Sequence, residues 1–138
     1  MKYFTINELT RSATAARLGI DNSPTPAVKK NLEKLINEVL DPLREAWGAP
    51  IIVTSGYRCP KLNKAVGGAK TSQHVLGQAA DIKTVGDKPE NNKKLFELAK
   101  KLIGEGKIVV GQLIDEYRYD WIHISTVGGH TNQILHIR

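Results

Sequence analysis

The chain has 138 residues, 41% of them hydrophobic and 25% charged, and a formal net charge of +6. That length and apolar share suit one folded domain with its own core and exclude a wholly disordered chain. No apolar run approaches the ~20 residues that span a bilayer, the first residues lack the apolar stretch of a secretory signal, and the single cysteine, Cys59, excludes an intrachain disulfide.

In chain order, Thr5 and Glu8 form a capping box that opens a short helix through Leu9. Residues 12–22 predict a short turn of helix and then a loop. Thr25 as cap with Pro26 at the first helical position starts the longest helix. Val28, Leu32, Leu35, Ile36, Val39, Leu40 and Leu43 recur at steps of three and four and carry it to about Trp47, kinked or broken at Pro42. Gly48 and Pro50 stop it. Ile51 to Thr54 is a β-branched buried strand. Residues 60–70 predict mostly loop, with one helical turn near Leu62 to Ala65. Ala80 to Lys83 is a second strand, and Val85 to Lys88 a turn. Pro89 then opens an amphipathic helix through Leu95, Leu98, Ala99 and Leu102 to Gly104. Ile108 to Ile114, Trp121 to Thr126 and Gln133 to Ile137 are strands, the last two paired as a hairpin across Val127 to His130. The expected fold is α+β, a mainly antiparallel sheet with helices packed on one face. It forms a single domain over 1–138, with a helical part (1–50) and a metal-site core (51–138).

The stretch from Ser72 to Asp81 carries the chemistry. His74 and Asp81 lie seven residues apart in a largely apolar setting of Val75, Leu76, Ala79, Ala80 and Ile82. A carboxylate there must be paired or metal-bound, because an isolated buried charge is very costly. A salt bridge to Arg58 or a lysine is the plainer alternative. In Trp121-Ile122-His123-Ile124-Ser125, strand alternation places His123 and Ser125 opposite the two isoleucines. Two histidines and one aspartate with a free position for water match a catalytic zinc site, whereas a structural site is closed by four ligands, commonly cysteines. A hydrolytic site needs a base. Asp120 is the first candidate, although three residues along a regular strand put it on the face opposite His123 unless the strand starts after it. Glu116 is the rival. Arg58 suits a substrate carboxylate or an oxyanion, and Cys59 reads as a small packed residue. His130 and His136 have no assigned part.

These residues resemble a known family. Ser55-Gly-Tyr-Arg58, Ser72-Gln-His74-Val-Leu-Gly77-Gln-Ala79-Ala-Asp81 and Asp120-Trp-Ile-His123 look like the D-alanyl-D-alanine carboxypeptidase type of zinc metallopeptidase. That family includes phage endolysin peptidases and vancomycin-resistance dipeptidases and shares its fold with the hedgehog signalling domain. The resemblance spans roughly Ile51 to Ser125, and the N-terminal part is similar to small single-domain members carried by phages and prophages. It implies that His74, Asp81 and His123 bind one zinc ion and that Asp120, where many members have Glu, is the base. It further implies that Arg58 stabilises the transition state or holds substrate and that Ser72 bonds near the metal or substrate.

The expected activity is hydrolysis of peptidoglycan stem peptides by zinc-activated water, of D,D-carboxypeptidase or L-Ala-D-Glu endopeptidase type. The alternative is a zinc-stabilised wall- or protein-binding domain without catalysis. A nucleic-acid partner is not expected, because no helix carries a Lys/Arg stripe and the aromatics do not interleave with basic residues. Membrane insertion is not expected either, and the default state is a monomer. With no signal peptide, the protein is expected to be made in the cytoplasm and to reach the wall after phage-mediated release.

Overall fold

The computed structural model describes residues 1–86 and 88–137. Thr5 caps α1 (Ile6–Thr10), its hydroxyl accepting from the Glu8 amide at 3.2 Å. Ser12 caps α2 (Ala13–Leu18), which ends at Gly19 in the left-handed region. Thr25 caps α3 (Pro26–Leu35). The expected long helix continues, but its irregularity lies ahead of Pro42: a π turn over Ile36–Leu40 separates α3 from α4 (Asp41–Trp47). Pro42 has no N–H to donate, and in a regular α-helix its ring would meet the carbonyl of Glu38. The wider π turn absorbs that mismatch before the proline.

β1 (Ile51–Ser55) is followed by α5 (Pro60–Ala65), where the Cys59 sulfur caps by accepting from the Leu62 amide. A 3-10 turn (Gln73–Leu76) leads into β2 (Ala79–Thr84). The turn expected from Val85 to Lys88 is seen at Val85 and Gly86, while Asp87 lies outside the described residues. Then come α6 (Pro89–Gly104), β3 (Gln112–Glu116), β4 (Trp121–Ser125) and β5 (Gln133–Ile137). β3 starts four residues later than the strand expected from Ile108, and it extends to Glu116.

The fold is α+β, but the five-stranded sheet is mixed, in the order β1-β2-β4-β3-β5. β1, β2, β4 and β3 pair antiparallel, and β5 pairs parallel with β3. This corrects both the mainly antiparallel sheet and the β4–β5 hairpin. β4 already has β2 and β3 on its two sides, so the returning chain takes the free edge of β3. A strand running opposite to β4 is necessarily parallel to β3 there.

Register divides the sheet into two faces. Ile82, Ile122 and Asp115 form one cross-strand row, and Ala80, Ile124 and Leu113 the next. All six are buried, and the apolar five join Leu95, Phe96, Ala99 and Leu102 of α6 in the core. The row Ser55, Asp81, His123 and Ile114 therefore points to the opposite face.

Candidate metal centre

His74 reaches this face from the 3-10 turn. The Ser72 hydroxyl accepts from the His74 amide at 3.2 Å and opens the turn. Gly77 closes it at φ +72°, and a Cβ there would lie 2.9 Å from Val28 of α3, so the position requires glycine twice over. His74 is 3% exposed, and its Nδ1 lies 2.7 Å from the Gly56 carbonyl oxygen. A carbonyl only accepts, so Nδ1 carries a proton, and Nε2 is the ring atom turned toward Asp81. Such a second bond is the usual way a metal-binding imidazole is oriented.

His74 Nε2 and His123 Nδ1 lie 3.3 and 3.2 Å from the same oxygen, Asp81 Oδ1. The candidate ligand atoms of the three residues all fall within 4.8 Å of one another. The imidazole rings meet edge to face, with centroids 5.3 Å apart and planes at 71°. In a tetrahedral site with bonds near 2 Å, neighbouring ligand atoms are about 3.3 Å apart. The donor set and its spacing therefore fit a zinc ion.

The electrostatics agree with this geometry. Burial alone would raise the Asp81 carboxyl, but hydrogen bonds and charge from His123 and His74 hold it well below the usual carboxylate range. Burial lowers the Arg58 guanidinium, while the charges of Asp81 and Glu116 pull it back up. Arg58 Nη2 donates to the Ser72 hydroxyl at 3.2 Å, and its buried Nε has no acceptor. The Arg58 amide donates to the His74 carbonyl at 3.0 Å, which ties the end of β1 to the histidine turn.

The structure brings His74, Asp81 and His123 together, with Arg58 and Ser72 bonded to each other nearby. It separates the two candidate bases. Glu116 is opposite Trp121 at the end of β3 and shares a face with Ile114, the cross-strand partner of His123. Glu116, His123, Ser72 and His130 line one cavity of about 490 Å³. Burial and the charge of Asp81 raise the Glu116 carboxyl above its ordinary value, against the opposing pull of His123. Asp120 is exposed in the turn before β4 and does not line that cavity.

The turn owes its shape to residues the sequence did not single out. Tyr117, Arg118 and Tyr119 have φ of 51°, 57° and 65°, a left-handed run of three non-glycine residues. Such backbone costs of order 1–3 kcal/mol per residue unless its surroundings impose it. Here the buried Asp115 accepts from the Tyr119 amide at 2.6 Å, and Asn92 donates to the Tyr119 carbonyl at 2.9 Å. Asp115 also holds His136 Nδ1 at 2.9 Å, which gives that histidine a part in tying β5 to β3.

The family model described as Peptidase M15 matches residues 2–125. The chain belongs to the Peptidase M15 family. M15 peptidases are zinc metallopeptidases, and in this one the residues that could hold the metal are His74, Asp81 and His123. The match takes in the N-terminal helices and strands β1 to β4 and ends before β5. No curated protein matches the chain.

Proposed function

We propose that this M15 peptidase is a zinc enzyme that hydrolyses peptide bonds in bacterial peptidoglycan stem peptides, with Glu116 as its general base. One observation carries the metal reading. His74 Nε2 and His123 Nδ1 converge on one oxygen, Asp81 Oδ1, at 3.3 and 3.2 Å, close to the separation of neighbouring ligand atoms in a tetrahedral site. The substrate class is supported by the likeness of the motifs to wall peptidases and by the net charge of +6, which suits an anionic envelope.

When bound, zinc supplies the positive charge that polarises the scissile carbonyl and makes water acidic enough to be deprotonated near neutral pH. His74, Asp81 and His123 would hold it. Glu116 accepts the proton of the attacking water and returns it to the leaving nitrogen. Its carboxyl lines the same cavity as His123, within the space a substrate at the metal would use. Arg58, steered by Ser72, offers its remaining N–H groups to an oxyanion or carboxylate of the substrate. The protein acts as a monomer at the wall, with no nucleic-acid partner.

Mass spectrometry of the soluble products of purified sacculi tests this reading. Peptide fragments with new termini are expected from the wild type and from Asp120→Ala, and none from Glu116→Gln. Sacculi left uncut by zinc-loaded wild-type protein would reject the activity. Loss of cutting in Asp120→Ala with Glu116→Gln intact would move the base to Asp120.

A further inference from the structure

The sheet face that carries the metal ligands changes character along the strands. One step from the ligand row, toward the start of β3, it is polar: Gln112 Nε2 donates to Gln133 Oε1 at 2.7 Å, and Ser125 shares that face. One step the other way, the row is Ile137, Glu116 and Trp121. Lys83 and its partner Ile52 extend this face on β2 and β1. Trp121 and Lys83 are half-buried, while Ile52 and Ile137 are exposed. The metal ligands thus lie between a polar end and an aromatic, largely apolar one.

The turn after β3 enlarges the aromatic end. The Tyr117 ring packs on the Trp121 indole, with centroids 5.1 Å apart and planes at 56°. Tyr117 is nevertheless 57% exposed. Its backbone is left-handed, at φ 51°, and its amide donates to the Ile137 carbonyl at 2.7 Å, which fixes it at the β3–β5 edge. Left-handed backbone is unfavourable for a bulky residue, and a ring mostly in water recovers little of that cost by burial. Strain of this kind, kept without burial, points to a ligand.

Glu116 belongs to two surfaces. It stands opposite Trp121 in the register, and it lines the cavity shared with His123. The aromatic pair is therefore continuous with the space a substrate at the metal would fill. Its open shape selects an amphipathic occupant. An apolar side chain needs an enclosing pocket to leave water, whereas these rings are open on one side, with Glu116 and Lys83 on the same face beside them. A pyranose ring has a face of C–H groups that suits an aromatic surface and a rim of hydroxyl and amide groups that suits charged neighbours. We propose that Tyr117 and Trp121 form a subsite for an N-acetylated aminosugar, the sugar of the glycan from which a stem peptide hangs. This deepens the peptidase reading and rests on it. Two residues along a strand cover about 7 Å, the span of about two extended peptide residues. A sugar on the platform therefore puts the cleaved bond within about two residues of it.

Two measurements test the subsite. The first titrates N-acetylglucosamine, and separately the apolar N-acetylleucinamide, into the protein as purified while NMR follows the backbone amides and the Trp121 indole N–H. The sugar is expected to shift resonances of residues 116–121, and N-acetylleucinamide is not. Tyr117→Asn keeps a residue that tolerates left-handed backbone but removes the ring, and it should abolish the shifts. Tyr117→Phe should keep them. No shift at residues 116–121, shifts matched by N-acetylleucinamide, or shifts unchanged in Tyr117→Asn would overturn the proposal. This arm needs no turnover, so its failure is separate from that of the peptidase reading.

The second compares kcat/KM of the zinc-loaded enzyme for one stem peptide with and without an N-acetylmuramyl group at its N-terminus. Wild type is expected to prefer the sugar-bearing peptide by about tenfold, to cut it within about two residues of the sugar, and to lose the preference in Tyr117→Asn. Equal rates on the two peptides, a preference unchanged in Tyr117→Asn, or a cut farther from the sugar would refute the subsite while leaving the peptidase activity standing.

Discussion

Asp81 and His123 stand directly opposite each other on β2 and β4, with Asp81 Oδ1 3.2 Å from His123 Nδ1. Direct cross-strand pairing sets this contact by sheet register, so a one-residue slip of β4 would turn His123 into the core. Its orientation is therefore as stable as the sheet. His74 is different, because it depends on a short turn closed by Gly77.

The first prediction follows from that difference. A metal that binds only the folded state stabilises by ~2.7 kcal/mol at one hundred times its Kd. Adding zinc to chelator-treated wild type should raise Tm by several degrees. His74→Ala and Asp81→Ala should remove the rise. A rise that persists in both would place the metal elsewhere.

Glu116→Gln should lower kcat on a wall peptide by ~10² to 10⁴, with zinc content unchanged. Asp120→Ala should stay within a few-fold of wild type, because its side chain is in the exposed turn. Stopped assays on the two variants at matched metal content separate the roles.

The pH dependence has two parts in chelator-treated protein. Asp81 has a folded pKa below its unfolded value of 3.8, so its contribution to stability is full above about 4 and is lost as pH falls toward the folded pKa. Glu116 has a folded pKa above its unfolded value of 4.5, so its ionisation costs stability as pH rises through the folded pKa. Glu116→Gln should therefore melt higher than wild type near neutral pH, with the gain vanishing below about 4. A lower Tm near neutral pH would contradict the raised carboxyl.

Asn92 is fully buried and accepts at 2.8 Å from both the amide and the hydroxyl of Thr84, while donating to the Tyr119 carbonyl. Asn92→Ala leaves those groups unpartnered, at ~1–3 kcal/mol each. It should lower stability in urea unfolding and lower kcat through a displaced Glu116, with zinc retained. Normal turnover at reduced stability would show that the turn does not position the base.

Much of the site was legible because its parts are local. His74, Ser72 and Gly77 sit within one turn, and the period-two pattern around His123 states which face it uses. The choice between Asp120 and Glu116 as base was not legible in the same way. Judging Asp120 and Glu116 requires the geometry of residues 117–120, and nothing in Tyr117-Arg118-Tyr119 advertises a left-handed run that Asp115 and Asn92 impose from elsewhere in the chain. The hairpin expected for β5 failed for a similar reason: local turn chemistry favours it, but β4 has no free edge. Asn22 was equally silent, since its bonds to the Thr10 and Tyr57 carbonyls and the Cys59 amide join segments far apart in sequence.

The central claim, that His74, Asp81 and His123 hold a catalytic zinc, meets its most direct test in elemental analysis of the protein purified without added metal. About one zinc per chain is predicted for the wild type, falling close to none in His74→Ala. Wild-type protein without zinc that also fails to take it up on addition, or a His74→Ala variant with full zinc content, would contradict it.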